Sequence, residues 1–506
     1  MKRSQYARSL AALIALALLL SAMPAVVQAD DRPTISIFLQ MQSEFNPEDS
    51  PFLEQIQQAT GVDIQLIMPP INSYAESLNL MIADGSYPDI IQMPSVTSAA
   101  YINSVDSGIL LPLDGLIGQY ANLTQYIDPS SYAALRASAN GTLYGIARNT
   151  IDRLDGFIVR QDWLDNVGLS IPDSGIVTLD EFYDILYAFT YDDPDGNGIN
   201  DTYGLIDRTP GGNLYPFIPY AFGCQGWQAH ETTYAYMNEA QCLEHDNYKQ
   251  VLAYTAKLWK DGLIDPVWPS SPGDEYRDRF YTGAAGLAYF FGGWIGTFEN
   301  ALKANYPDAT VAYIAGVSGA DGECIAGSSF PGNIYSFYSL SISCAGKEDA
   351  AIRILDYLLS DEGWDLMNYG VKGTHWDEDE NGGKYALDAF GDYSKYRSFL
   401  TLLRRYDDPA YFVGLNLSPE QRAFATDAIS KAMRLVKPDL SYGYAPAAAQ
   451  ETRLLEYNSE LSIVRSKIIV GELPIDAWDD ALTKWYDAGG RQVVEDMNTF
   501  IAANQQ

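Results

Sequence analysis

TISIFLQ, residues 34–40, reads as a buried β-strand, because Ile35, Ile37, Phe38 and Leu39 form a short apolar run directly after Pro33. A helix is expected around Pro51 to Thr60, and after Gly61 the stretch VDIQLIM at 62–68 reads as the next strand. Tyr74 to Ala83 is helical by pattern, and SYPDIIQMP at 86–94 holds a third short strand. Strands alternating with helices across short turns predict an α/β lobe with a largely parallel sheet. Its loops at the carboxyl ends of strands, near Gln42 to Asn46 and Met93 to Ser95, are expected to face a crevice.

Further along, TLDEFYDILYAFTYDDPDGNGINDTY at 178–203 joins a capped helix to an acidic loop. Thr178 and Glu181 have the spacing of a capping box, and Phe182, Ile185, Leu186 and Phe189 recur at helical intervals. With Asp193 as first position of an EF-hand-like loop, Asp195 is third, Asn197 fifth, Gly198 the sharp-turn sixth, Ile199 the backbone-carbonyl seventh and Asp201 ninth. Hard oxygen donors at these places suit Ca2+ as a structural ion. Gly204 stands where the bidentate Glu of position twelve belongs, so the reading is a stapled loop and not a sensor hand. A solvated Asp/Asn/Gly turn is the metal-free alternative.

Lys2, Arg3 and Arg8 precede an apolar run from Leu10 to Leu20, and Val27-Gln28-Ala29 supplies a small-residue cleavage pattern. Residues 1–29 therefore read as a secretory signal peptide, with no cysteine near the cleavage point to carry a lipid and an exported, periplasmic or extracellular product. A length of 506 residues with 47% hydrophobic content predicts two or three domains or one large bilobed body. The formal charge of −34 opposes phosphate backbones and anionic lipid, which disfavours nucleic-acid and membrane-surface partners. Cys224, Cys242, Cys324 and Cys344 fit two disulfides in an oxidising compartment, with three connectivities open and nearest-neighbour pairing expected; free buried thiols are the alternative.

A set of phrases in fixed order resembles the extracellular solute-binding proteins of ABC importers, in the large oligosaccharide-binding branch that includes alginate-binding proteins. They are ADGSYPDII at 83–91, SGILLPLDGLI at 107–117, GTLYGIAR at 141–148, RQDWLDNVGL at 160–169, the helix and DPDGNGINDTYGL just described, FYTGAAGLAYF at 280–290, ILDYLLSDEGWDLMNYGVKGTHW at 354–376 and GELPIDAWDDALTKWYDAGG at 471–490. The resemblance implies an α/β, two-lobed periplasmic-binding-protein fold, type II-like, with hinge crossings and a ligand cleft between the lobes. It implies one lobe from 30–150 plus 328–373 and another from 151–327 plus 374–506, with crossings near Arg148 to Asp155, Gly327 to Asn333 and Gly373 to Trp376. It also implies calcium held by Asp193, Asp195, Asn197, Asp201 and the Ile199 carbonyl. Family members often carry Glu where this chain has Thr202, whose hydroxyl or a water is expected to fill the gap.

Aromatic faces suit sugar rings, whose C–H groups pack on the π-face while hydroxyls bond polar neighbours. The candidate ligand-binding residues are Tyr144, Arg148, Trp227, Trp294, Tyr335, His375 and Trp376, with core packing as the plainer explanation for each aromatic. Trp163, Trp364, Trp478 and Trp485 lie in helical phrases and are expected in the core. Arg148 pairs either with an acidic sugar or with a lobe acid such as Asp152. The acidic run Asp377 to Glu380 is better explained by a hairpin turn than by a second metal loop.

The expected function is capture of an oligosaccharide by hinge closure and delivery to a membrane ABC permease, by a monomer without catalytic residues. A secreted glycoside hydrolase, which needs two carboxylates across a cleft, is the enzyme alternative. A peptide-binding or sensory binding protein is the third.

Overall fold

The computed structural model describes residues 32–40, 50–149, 155–206, 217–224, 247–268, 275–320, 327–329, 334–393, 413–438 and 446–504, apart from a few single positions inside these spans and together with a few between them. The expected signal peptide, Trp227 and Cys242 lie outside the described residues.

The strands that build the two main sheets are β1 (Thr34–Phe38), β2 (Asp63–Ile67), β3 (Ile90–Met93), β4 (Ile146–Asn149), β5 (Asp155–Arg160), β6 (Tyr203–Ile206), β7 (Ala285–Phe291), β8 (Val311–Ile314) and β9 (Ile334–Leu340). The first sheet has the order β2-β1-β3-β9-β4. Parallel pairing of β1 with β2 and β3 agrees with the alternating pattern of the first hundred residues. The sheet is nevertheless mixed, because β9 enters from nearly two hundred residues downstream and runs antiparallel to both β3 and β4.

The helix Pro51–Thr60 shows how local sequence positions this sheet. Ser50 Oγ accepts from Leu53 N at 3.3 Å, proline opens the first turn, and Gly61 at φ 66° ends the helix. Its inward face buries Phe52 and Ile56 almost completely, each contributing about 1.5–3 kcal/mol. Truncating Phe52 would open a cavity between this helix and the helix Glu348–Leu359 packed on it.

In the second sheet the order is β6-β7-β5-β8, with β5 antiparallel to β7 and β8 and β6 parallel to β7. All seven residues of β7, AGLAYFF, are buried, as expected for a strand covered on both faces. The expected helix 178–189 appears as Leu179–Tyr191, and both bonds of its capping box form: Glu181 N donates to Thr178 Oγ1 at 3.1 Å and Thr178 N to Glu181 Oε2 at 2.8 Å. A Cβ on Gly286 would stand 2.1 Å from Phe189 and 2.8 Å from Trp163, so only glycine lets this helix lie so close to β7.

Each sheet has its own large apolar core, and the molecule is two-lobed. Leu402 and Leu403 join the core of the first sheet, while the C-terminal helices Thr452–Ile469, Ala477–Trp485 and Arg491–Asn504 cover the second. Trp163, Trp364, Trp478 and Trp485 are buried. The hairpin reading also stands: Trp376–Glu378 pairs antiparallel with Lys384–Ala386.

The disulfide expectation is corrected. Cys224, Cys324 and Cys344 are free thiols. Cys344 closes the short turn Ile342–Cys344 in the core of the first sheet, whereas Cys324 bridges to Ser318 beside the second, so their side chains belong to different bodies. Burial pushes the Cys224 and Cys344 thiols up to about 12 and Cys324 up to about 11. Among the described residues no helix is long and apolar enough to cross a membrane.

Candidate functional site

Polar side chains collect at the carboxyl edge of the first sheet, where open α/β sheets place their ligands. Gln92 on β3 is almost fully buried, and its side-chain amide is bonded at both oxygen and nitrogen. Its Oε1 accepts from Gln40 N at 2.8 Å, its Nε2 donates to Ser336 Oγ at 3.1 Å, and its main-chain oxygen accepts from Tyr74 Oη at 2.5 Å. Burial, helped by neighbouring Tyr338, pushes the Tyr74 phenol well above its ordinary range, so it stays a donor.

Arg148 lies on β4, next to β9, in register with Ser336 and 1% exposed. Next to it, Asn149 donates through Nδ2 to Ser131 Oγ at 2.6 Å and accepts at Oδ1 from Asp128 N at 3.3 Å, which ties β4 to the start of the helix Pro129–Ala137. Gly145 is needed just before, since a Cβ there would meet Phe337 at 2.5 Å. Gln40, Gln92, Asn149 and Ser336 were not anticipated. The signal available was glutamine inside or ending otherwise apolar strands, IIQM and TISIFLQ.

The second sheet follows the first in the chain after a short covalent link. Asn149 ends β4 and Asp155 opens β5, and the chain between them reaches about 20 Å at full extension. Asp155 is paired with Phe291, so the turn Gly292–Trp294 that follows β7 lies on the same edge. Trp294 is half-buried and meets Phe290 edge-on at 5.3 Å. Tyr313 on β8 packs against Gly156 and Gly292, and burial pushes its phenol far up, with Asp155 adding to the effect.

Other anticipated residues are placed as follows. Tyr144 is half-buried against the first core. Tyr335 belongs to β9, but its side chain lies outside the described residues. His375 is buried, its Nδ1 accepting from Val371 N at 2.9 Å and its ring standing edge-on to Phe52 at 5.7 Å. Trp376 is also buried, donating through Nε1 to Gly370 O at 2.7 Å and meeting Tyr369 edge-on, with Lys372 and Lys384 over its ring. These two side chains lock the turn between the helix Asp361–Tyr369 and the hairpin.

In the acidic loop, Asp193 takes a left-handed φ of 50° and Gly198 N donates to its Oδ2 at 3.0 Å. The Asn197 amide donates to Asp195 Oδ2 at 2.9 Å and to Asp201 Oδ1 at 3.2 Å, drawing positions three, five and nine together. Partial burial, then the proximity of Asp193 and Asp201, raises the Asp195 carboxyl above its ordinary value although a backbone bond from Asn197 opposes the shift. Asp193 Oδ1 is buried without a hydrogen-bond partner. Crowded carboxylates and an orphaned oxygen are what a cation would relieve. The described carboxylates do not, however, converge as a set of three or more metal-ligating side chains. The Thr202 hydroxyl donates to Phe189 O at 2.7 Å, back toward the helix.

The profile of the bacterial extracellular solute-binding protein family matches residues 41–363. Lipoprotein LipO of Bacillus subtilis is 26% identical over 94% of this chain and 93% of its own length. An HMO-binding, ABC-transporter-associated solute-binding protein from Bifidobacterium longum infantis superposes with a TM-score of 0.67 at 18% identity, covering 93% of this chain and 99% of that one. The alginate-binding protein AlgQ2, in a structure without calcium ion, gives a TM-score of 0.65 at 19% identity over 93% of this chain and 98% of its own. With a matched region this long and a fold shared across both lobes, the chain belongs to the bacterial extracellular solute-binding protein family.

Proposed function

We propose that this protein captures an oligosaccharide outside the cell membrane and delivers it to an ABC permease. The observation that carries this reading is the placement of Arg148 and half-buried Tyr144 at the rim that Gln92 and Ser336 hold together, with half-buried Trp294 beyond a short chain link. A guanidinium and a phenol suit sugar hydroxyls, and an indole face suits a pyranose ring. The sugars named for the HMO-binding protein and for AlgQ2 support the same class.

In this reading the lobes exchange chain near residues 150, 327 and 373, with residues 402–405 lying against the first lobe. Ligand contacts to both lobes favour the closed state, so binding energy drives hinge closure and no bond is made or broken. Arg148, Tyr144, Trp294 and Tyr335 are the side chains assigned to ligand; His375 and Trp376 act through the turn they lock. Asp193, Asp195, Asn197, Asp201 and the Ile199 carbonyl would hold a structural Ca2+ away from the cleft, where the ion would offset the crowded negative charge. The protein works as an exported monomer after loss of residues 1–29.

The test is the melting temperature of the chain lacking residues 1–29 against a panel of neutral and acidic oligosaccharides, with the glycans recovered afterwards. A ligand that binds only the folded state raises the Tm. At least one oligosaccharide raising it and surviving intact supports the reading; cleavage of the glycan, or no shift with any member of the panel, overturns it.

A further inference from the structure

The second lobe contains a buried positive charge that the sugar site does not use. Arg465, on the helix Thr452–Ile469, is 3% exposed. Its Nη2 donates to Ser462 Oγ at 2.8 Å and its Nη1 reaches Tyr248 Oη at 3.4 Å, while Nε has no partner. Among the described residues no carboxylate lies within ion-pair distance of it. Nor does its own helix neutralise it, because helical side chains lean toward the N-terminus, here toward Ser462 and away from the carbonyls of the last turn.

A small cavity, with about 10 Å³ of room for the centre of a water-sized sphere, is lined by Arg465 together with Pro219, Tyr248, Val251, Leu252, Thr255 and Ile469. That is space for one small occupant. Most of the lining is apolar, and the Thr255 hydroxyl already donates to Val251 O at 2.9 Å. Guanidinium groups keep their charge in proteins, and an unpaired buried ion costs several kcal/mol. Water in the cavity would satisfy the Nε–H but leave the charge uncompensated. A halide, slightly larger than water, satisfies both once the apolar lining yields a little.

We propose that Arg465 holds one small inorganic anion of the halide class in this cavity, clamping the helix Thr452–Ile469 to the helix Tyr248–Lys260. The site is too small for sulfate, and its occupant stabilises the second lobe independently of any sugar.

The experiment measures Tm of the full folded chain in sodium chloride, sodium bromide, sodium sulfate and sodium gluconate at matched ionic strength, for the wild type and for Arg465→Met. Chloride and bromide are expected to raise the wild-type Tm by about 1.5 °C for each tenfold increase beyond half-saturation, a saturable rise that gluconate lacks and that differs from the non-saturating, general stabilisation by sulfate. Arg465→Met should lose the halide-specific rise. If that variant fails to fold, bromide-soaked crystals of the wild type decide the matter by anomalous scattering, which should place a peak within hydrogen-bond reach of Arg465 Nε. Equal Tm responses to all four salts, an undiminished halide response in Arg465→Met, or no bromide peak in the cavity would overturn the proposal.

Discussion

Gln92 donates its side-chain amide to Ser336 Oγ at 3.1 Å across 244 residues of chain, fastening β3 to the returning strand β9. The same side chain accepts from Gln40 N, so one residue joins three strands at the rim of the first sheet. Replacing it with leucine leaves a buried N–H and a buried hydroxyl short of a partner. Gln92→Leu should therefore destabilise the protein by about 1–3 kcal/mol in urea titration; an unchanged midpoint would show that the rim is not held through this residue.

Arg148 is expected to act on ligand more than on folding. Arg148→Met should retain the far-UV spectrum and weaken oligosaccharide binding at least about tenfold, equivalent to about 1.4 kcal/mol, in titration calorimetry. Arg148→Lys should not restore it, since an ammonium lacks the planar fork. Full affinity in either variant would remove Arg148 from the site.

Calcium should stabilise through the acidic loop alone. Chelator should lower the Tm of the wild type, calcium should restore it in a saturable way, and Asp193→Asn should abolish the response while sugar binding persists. A calcium response that survives in this variant would place the ion elsewhere.

The thiol state gives a direct chemical check. Alkylation in denaturant without reductant should label Cys224, Cys324 and Cys344, and in the native state Cys224 and Cys344 should resist labelling because both are buried with raised thiol values. A disulfide-linked peptide joining Cys324 to Cys344 would contradict the structure.

Asp114 contributes a pH-dependent term. It accepts from Leu143 N at 2.9 Å and pairs with Arg136 at 2.9 Å, and the Leu143 bond, before the arginine, holds its carboxyl below the ordinary range. A depressed folded-state value means the stabilisation is complete above the unfolded-state value and is lost as pH falls through the folded one. Because the pair is half exposed, Asp114→Asn should cost only about 1 kcal/mol at pH 7, with the difference from wild type vanishing in acid. A gap that persists at low pH would rule out this linkage.

Much of the fold was legible where pattern and local chemistry agree. Ile35, Ile37 and Phe38 are buried as the apolar run implied, and Thr178 with Glu181 forms the expected cap. The antiparallel entry of β9 was not legible, because a strand's direction depends on where the chain returns from, which IYSFYSL does not encode. The cysteines misled because compartment and even count argue for bridges, whereas Cys324 and Cys344 are parted by the division between the two bodies. His375 and Trp376 were singled out by residue type and by their place at the third expected crossing, and their ring nitrogens turn out to bind local backbone. Gln92 was passed over because a lone glutamine in a strand is ordinary until its partners on two other strands are seen.

The most direct test of hinge-driven sugar capture is small-angle X-ray scattering of the chain lacking residues 1–29, with and without the oligosaccharide that raises its Tm. A smaller radius of gyration on binding, with the glycan recovered intact, is the expected result. An unchanged radius at saturating glycan, or a glycan recovered in pieces, would contradict capture by lobe closure.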